Sequence, residues 1–439
     1  MIMKSTTYYV SSLNGSDSNS GTAQTEAFKT LDAINKIKLM PGDRVLLEKG
    51  SVFENEYLHI KNCGDINGGR IEVSAYGEGD ALPCINANGS GIWYQDYGTK
   101  LDYAGHVYKG DVSSAVLLYD AENILVENIE ITNFEPYTTA EAYSSPDKLE
   151  RTGLAAVAQN RGTIHSITLD NLYIHDVSGN VYDKHMNNGG IYMTAFKPAN
   201  EAETGVARYD GVTIQNCFVK NVSRWGIAVG YTYNWEKFSG KELSAEAFKK
   251  YGNEHFLFRN NYIKAAGGDA LTPMYALEPL TEYNIADSCA FEMNDRVYNK
   301  AGKRMGKVAA AIWPWKCKNA MFRFNECTDT KLNQDGMAYD ADSGDGTVYD
   351  QNYSRLNEGG CVMFCMQEAV HNTFTNNVSY DDLGGTLSPS QNPDAYIANN
   401  HFYKRKGVPL IRKRMHGKRT LKDNTITAVS YTHLRAHET

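Results

Sequence analysis

The 439-residue sequence is short of the residues that staple or kink a chain, with eight Cys and 11 Pro. So few cysteines exclude a disulfide scaffold. They stand at positions 63, 84, 217, 289, 317, 327, 361 and 365 and form no C-x-x-C pair. Only Cys361 and Cys365 are close, and that spacing reads as buried thiols rather than a zinc site. Apolar runs such as Ala309–Trp315 fall far short of the roughly 18–20 residues a membrane-spanning helix needs. Residues 1–20 lack a charged segment followed by an apolar one, so no export signal is visible. The chain reads as cytoplasmic as written, or as exported with its N-terminus missing. H-E-x-x-H, G-x-S-x-G and Walker A signatures are missing, which removes three common catalytic classes. A net charge of −8 argues against nucleic-acid binding. The acidic total hides nine Lys or Arg, and no acid, within residues 404–422. That run reads as solvated turns and strand edges, or alternatively as a basic patch for an anionic polymer.

With 42% hydrophobic and 22% charged residues, the chain is not disordered. It is too long for one compact core of about 250–300 residues, so it is multi-domain or a solenoid of stacked repeats. Thirty-eight Gly, 38 Asn and 29 Tyr favour turns and strands over long helices. A short alternating strand followed by Asn recurs as ILVEN-IEI at 124–131, ITLDN-LYI at 167–174, VTIQN-CFV at 212–219 and FLFRN-NYI at 256–263. Looser copies centre on Asn325, Asn352, Asn376, Asn399 and Asn424. The last four spacings are 27, 24, 23 and 25 residues, a coil of about 24. The earlier ones, 43 to 45, are two coils or one coil with a long excursion. Stacked coils place equivalent residues about 4.8 Å apart, so a column of Asn is expected along one corner. This pattern resembles the right-handed parallel β-helix of pectin-lyase-like carbohydrate-active proteins. The resemblance implies an all-β solenoid fold.

Residues 1–109 read as an N-terminal cap and first coils, with helical spacing at Phe28, Leu31, Ile34 and Ile37 before Pro41-Gly42. An amphipathic helix there covers the open end of the stack. Residues 110–428 carry the β-helix repeats, interrupted by excursions at 231–254, with a short helix near Ser244–Tyr251, and at 275–307. Residues 429–439 do not continue the repeat and read as a non-native tail.

Asp335 and Glu358 are 23 residues apart, almost one coil, each before a Gly-started strand. Stacking puts them on one face at roughly 5 Å backbone spacing. Two such carboxylates repel when both ionised, so one pKa rises and the other stays low. A retaining glycosidase needs that division of labour, with carboxyls about 5–5.5 Å apart. The arrangement resembles the β-xylosidase family of β-helix glycoside hydrolases. By that resemblance Asp335 is the nucleophile and Glu358 the acid/base.

Substrate-binding candidates at the same corner are Asp269, Arg224 and Trp225, with Trp313, Trp315, Tyr339 and Asp340 nearby. Indole faces make platforms for sugar rings. His185 is a weaker candidate, expected to be exposed. Asp340, Asp342 and Asp345 resemble an EF-hand loop one residue out of register, with Gln351 in place of the closing Glu. No cofactor is therefore expected, except Ca²⁺ in a lyase.

The leading reading is a glycoside hydrolase acting on a polysaccharide or oligosaccharide. The alternatives are a Ca²⁺-dependent polysaccharide lyase, disfavoured because no Arg or Lys base stands out beside the acids, a non-catalytic glycan-binding β-helix, and an isomerase or epimerase on this fold.

Overall fold

A computed structural model describes residues 5–102, 106–134, 149–181, 183–291, 308–412 and 417–429. The chain winds as a right-handed parallel β-helix with three faces. A 14-stranded sheet forms the first face, from Thr7–Val10 to Arg419–Lys422, and a 12-stranded sheet forms the second, from Val52–Glu54 to Thr425–Val429. The third face is a seven-stranded and a three-stranded sheet, joined through the parallel bridges Leu271↔Ile312↔Tyr339. Among the described residues all strand pairs are parallel except Ile92–Asp96, which folds back antiparallel on Lys109–Ala121. The first sheet crosses residue 110 without a break.

Alternation explains the core. Within Ile167–Asp170, Ile167 and Leu169 point inward, against Val212 and Ile214 of the next coil and Phe256 and Phe258 of the one after. No single coil could bury such a face; stacking makes one continuous apolar column. The N-terminal helix is short, Leu31–Asn35, and buries Leu31 and Ile34. The expected helix near residue 244 runs Ala245–Tyr251, with the Ser244 hydroxyl accepting from the Ala247 N–H.

Three registers refine the repeat reading. Ile124 pairs with Ile167, Ile167 with Val212 and Val212 with Phe256, so each 43- to 45-residue interval is a single coil with a long excursion. The 65-residue gap from Asn260 to Asn325 holds two coils. Leu280–Glu282 pairs with Leu257–Arg259 on one side and Met321–Arg323 on the other. The excursion expected at 275–307 is therefore mostly coil up to Asp287, and its residues 292–307 lie outside those described. Its copy of the repeat was hidden because Thr281 stands where the other copies carry an apolar residue and Tyr283 where they carry the corner Asn. The tail expected at 429–439 also lies outside the described residues, except Val429, which ends the last strand.

The single Asn column expected from sequence is two adjacent columns. Asn128, Asn171, Asn216, Asn260, Asn376 and Asn399 sit on the outer corner in the left-handed region, φ 49–57°. Asn tolerates that conformation better than most residues. The inner column is Asn261, Asn284, Asn325, Asn352, Asn377 and Asn400, all buried, and ends at half-buried Asn424. Each side-chain oxygen accepts the backbone N–H of the residue one coil earlier, at 2.7–3.0 Å along the column. Each interior amide thereby ties two turns and leaves no buried polar group open.

Candidate active site

Asp335 closes the turn before the strand Met337–Asp340. Gly336 after it holds φ +77°, which a side chain resists. One coil on, a Cβ at Gly359 would lie 2.1 Å from the Asp335 carbonyl oxygen. The glycines thus let two turns close against each other where a carboxylate must sit. Along the strand the period of two sorts the side chains. Tyr339 points into the core, donating its hydroxyl to the carbonyls of Asn325 and Tyr353 at 3.0 and 2.7 Å. Asp340 and Asp342 face the other way.

Lys184, Asp269, Trp313, Asp335, Asp340 and Asp342 line one cleft. Asp269 is fully buried and well satisfied: Oδ1 accepts from the Trp313 indole at 2.8 Å and from the Ala310 N–H at 3.0 Å. Its Oδ2 pairs with Arg224 at 3.3 Å, a guanidinium that is itself fully buried. The Lys184 ammonium stands 4.4 Å from the Trp315 ring centroid, 5.2 Å from Trp313 and 5.9 Å from Trp225. The Trp225 indole donates to the Lys184 carbonyl at 2.7 Å. Lys184 and Trp313 therefore wall a cleft floored by carboxylates, while Trp225, fully buried, and Trp315 pack around the ammonium without lining it.

Electrostatics separates the acids. Burial, reinforced by the Asp342 charge, pushes the Asp335 carboxyl up to about 7, while Lys184 and Arg412 pull the other way. Burial also raises Asp340, and the Asp342 and Asp335 charges raise it further; its Oδ1 has no hydrogen-bond partner. Asp342 is raised by burial too, but it accepts the Ser343 hydroxyl at 2.6 Å and faces Lys184 and Lys316. Among the three, Asp342 holds the most direct stabilisation of its charge. Burial lowers the Lys184 pKa, against the pull of Asp269, Asp342 and Asp335.

The structure gathers Asp335, Asp269, Asp340, Arg224, Trp225, Trp313 and Trp315 at this corner, and leaves Tyr339 in the core. Glu358 is in strand register with Asp335, as Met337 pairs with Gly360. Its carboxylate turns aside, accepting from the Leu332 N–H at 2.7 Å and standing 3.8 Å from Lys331, and it does not line the cleft. Asp345 also leaves the acidic trio of the Ca²⁺ alternative, pairing with Lys318 at 2.7 Å and His371 at 2.9 Å. Cys365 rather than Asp345 joins Asp340 and Asp342. His185 is fully buried, not exposed. Of the basic run, Arg405 pairs with Asp381, and Arg412 reaches the Gly384 and Gly359 carbonyls at 2.6 Å.

Two residues escaped sequence reasoning. Lys184 stands 151 positions before Asp335, and only the stack brings them together. Asp342 was weighed only as a metal ligand, although the spacing Asp340-Ala-Asp342 on a strand puts both acids on one face.

No helix among the described residues is long and apolar enough to cross a membrane. A comparison with protein-family models finds no match. The chain is 42% identical over 457 residues to the lacto-N-biosidase of Bifidobacterium longum subsp. longum, covering 95% of this chain. It spans just over a quarter of that protein's length, 28%. The crystal structure of the GH136 lacto-N-biosidase from Eubacterium ramulus, a selenomethionine derivative, matches with a TM-score of 0.93 and 56% identity, over 97% of this chain and 68% of that one. The native crystal structure of that enzyme gives the same score and identity over 96% of this chain and 68% of that one. With this identity, coverage and shared fold, the chain belongs to the GH136 lacto-N-biosidase family of glycoside hydrolases.

Proposed function

We propose that this chain is the catalytic β-helix of a lacto-N-biosidase, releasing lacto-N-biose from an oligosaccharide with Asp335 as acid/base and Asp342 as nucleophile. The observation that carries the assignment is that Asp335 and Asp342 line one cleft beside Trp313 and Lys184; burial raises both, but Asp342 has the hydroxyl donor and the two lysines on its side. A general acid works best with a pKa near the operating pH, and Asp335 is pushed up to about 7. A nucleophile must stay ionised, and Asp342 faces two lysines and a hydroxyl donor.

In this reading Asp335 gives its proton to the departing glycosidic oxygen as the Asp342 carboxylate attacks the anomeric carbon. A glycosyl ester forms and the aglycone leaves as an alcohol. Asp335, now a carboxylate, takes a proton from water. That water breaks the ester, returning Asp342 as carboxylate and Asp335 as acid. Asp335 and Asp342 line the same cleft, and the Asp342 charge acts on Asp335; retention is the outcome that this reading expects. Lys184 holds the negative charge of Asp342 between turnovers, Asp269 fixes Trp313, and Trp313 presents an apolar surface to the sugar.

The test is hydrolysis of a chromogenic aryl lacto-N-bioside, followed by NMR of the first-formed anomer. Release of the disaccharide with its configuration kept supports the reading. An inverted anomer overturns the nucleophile, and an unsaturated, ultraviolet-absorbing product overturns hydrolysis.

A further inference from the structure

Next to Lys184 in the chain, with the His185 ring 6.1 Å from that of Trp315, lies a second cluster that the proposed reaction does not use. Asp102, His106 and His185 each offer one ligand atom, and these atoms all lie within 4.8 Å of one another. Asp102 and His106 are mostly buried, with their Oδ1 and Nδ1 atoms 3.3 Å apart. The Tyr231 hydroxyl donates to Asp102 at 3.0 Å, fixing its carboxylate.

His185 is the telling member. It has no solvent exposure, and neither ring nitrogen has a hydrogen-bond partner. Leaving a buried polar group open costs about 1–3 kcal/mol, so such a group calls for an explanation. Nor is the ring loosely placed. It stacks on Tyr231 at 3.8 Å between centroids and meets His106 edge-on at 4.5 Å. The His185 carbonyl accepts from Tyr97 at 2.9 Å and from Gln95 at 3.2 Å, while the Asn187 N–H donates to Gln95 at 2.9 Å. The protein therefore holds an imidazole rigidly, without a partner, facing another imidazole and a carboxylate.

We propose that Asp102, His106 and His185 form a site for a divalent transition ion of the zinc class. Two imidazoles and one carboxylate are a zinc donor set, with the fourth position left to water. Bonds of about 2.0–2.2 Å put tetrahedral ligand atoms roughly 3.3–3.5 Å apart, so closure by about 1 Å completes the site. Ca²⁺ and Mg²⁺ prefer oxygen-rich shells, and imidazole selects zinc, copper or nickel. The nearby cations Lys184 and Arg224 add to that selection, because an ion held only by charge meets their repulsion. The ion's role is structural. It ties Asp102 and His106 to the loop carrying Lys184, so metal occupancy stiffens one wall of the cleft without touching the reacting atoms.

The test uses the whole chain, stripped with a chelator and titrated with Zn²⁺ against a chromophoric competitor, and in parallel with Co²⁺. One equivalent of Zn²⁺, visible Co²⁺ bands of a four-coordinate site and a higher Tm are expected. His106→Ala and Asp102→Asn should each weaken binding about 10- to 100-fold, with the near-ultraviolet circular dichroism of the stripped protein preserved. His185→Ala serves as a third variant where it folds. No stoichiometric binding overturns the proposal, and so does binding that His106→Ala and Asp102→Asn leave unchanged.

Discussion

The Trp313 indole donates to Asp269 at 2.8 Å across neighbouring coils of the third face. A fully buried carboxylate thereby fixes the angle of one wall of the cleft. Trp313→Phe keeps the apolar face and loses the donor. The expected result is a rise in KM of about tenfold with kcat little changed, read from steady-state kinetics on the aryl glycoside, since one hydrogen bond to a charged group is worth about 1.5–3 kcal/mol. A fall in kcat alone would move Trp313 from positioning to chemistry.

Asp335→Asn removes the acid. Activity should fall by about 10³-fold or more, within the range of general acid catalysis together with its later role as base. In the parent protein the acid must be protonated, so kcat/KM should decline as pH rises through about 7. The same group affects stability. Its folded pKa is raised above the unfolded value near 4, so the folded state binds more protons between those values and loses stability as pH rises across that window. Asp335→Asn should abolish this loss, and its Tm advantage over the parent should be larger at pH 8 than at pH 4.

Asp342→Asn and Glu358→Gln separate the two possible partners of Asp335. The first should be inactive and partly rescued by azide, giving a glycosyl azide of inverted configuration. The second should keep activity within about tenfold, because Glu358 serves Leu332 and Lys331 rather than the cleft. The reverse pattern would restore Glu358 to the catalytic pair.

The two Asn columns should respond differently. Asn325→Ala leaves the Asn284 N–H and the Thr281 carbonyl without partners inside the stack. A loss of about 2–3 kcal/mol, seen as a lower urea midpoint, is expected. Asn399 sits at φ 57° on the outer corner, so Asn399→Gly should be neutral to within about 0.5 kcal/mol.

The difference between the columns also shows how far a sequence of this kind can be read. The β-helix was legible because its coils repeat one short pattern, and alternation names the inward residues directly. Asn284 was missed because Thr281 replaces the apolar residue and Tyr283 the corner Asn of the other copies, although its amide is as firmly placed as those of its neighbours. At the site, the corner bearing Asp335, Asp269 and the tryptophans could be found from coil spacing alone. The choice between Glu358 and Asp342 could not. Register fixes where a backbone lies, whereas the direction of a Glu side chain depends on an N–H at Leu332 that the spacing does not reveal. Lys184 was out of reach for a different reason, since its loop belongs to an earlier coil whose length hides its partners.

Three of the five tryptophans in the chain, Trp225, Trp313 and Trp315, surround one ammonium group at the cleft. Their emission is therefore weighted toward this single locality. A sugar that enters the cleft beside Trp313, or an ion that draws on the neighbouring loop, should change the intrinsic fluorescence without any added label. The protein thus carries its own optical reporter of occupancy, one that works equally in variants that have lost turnover.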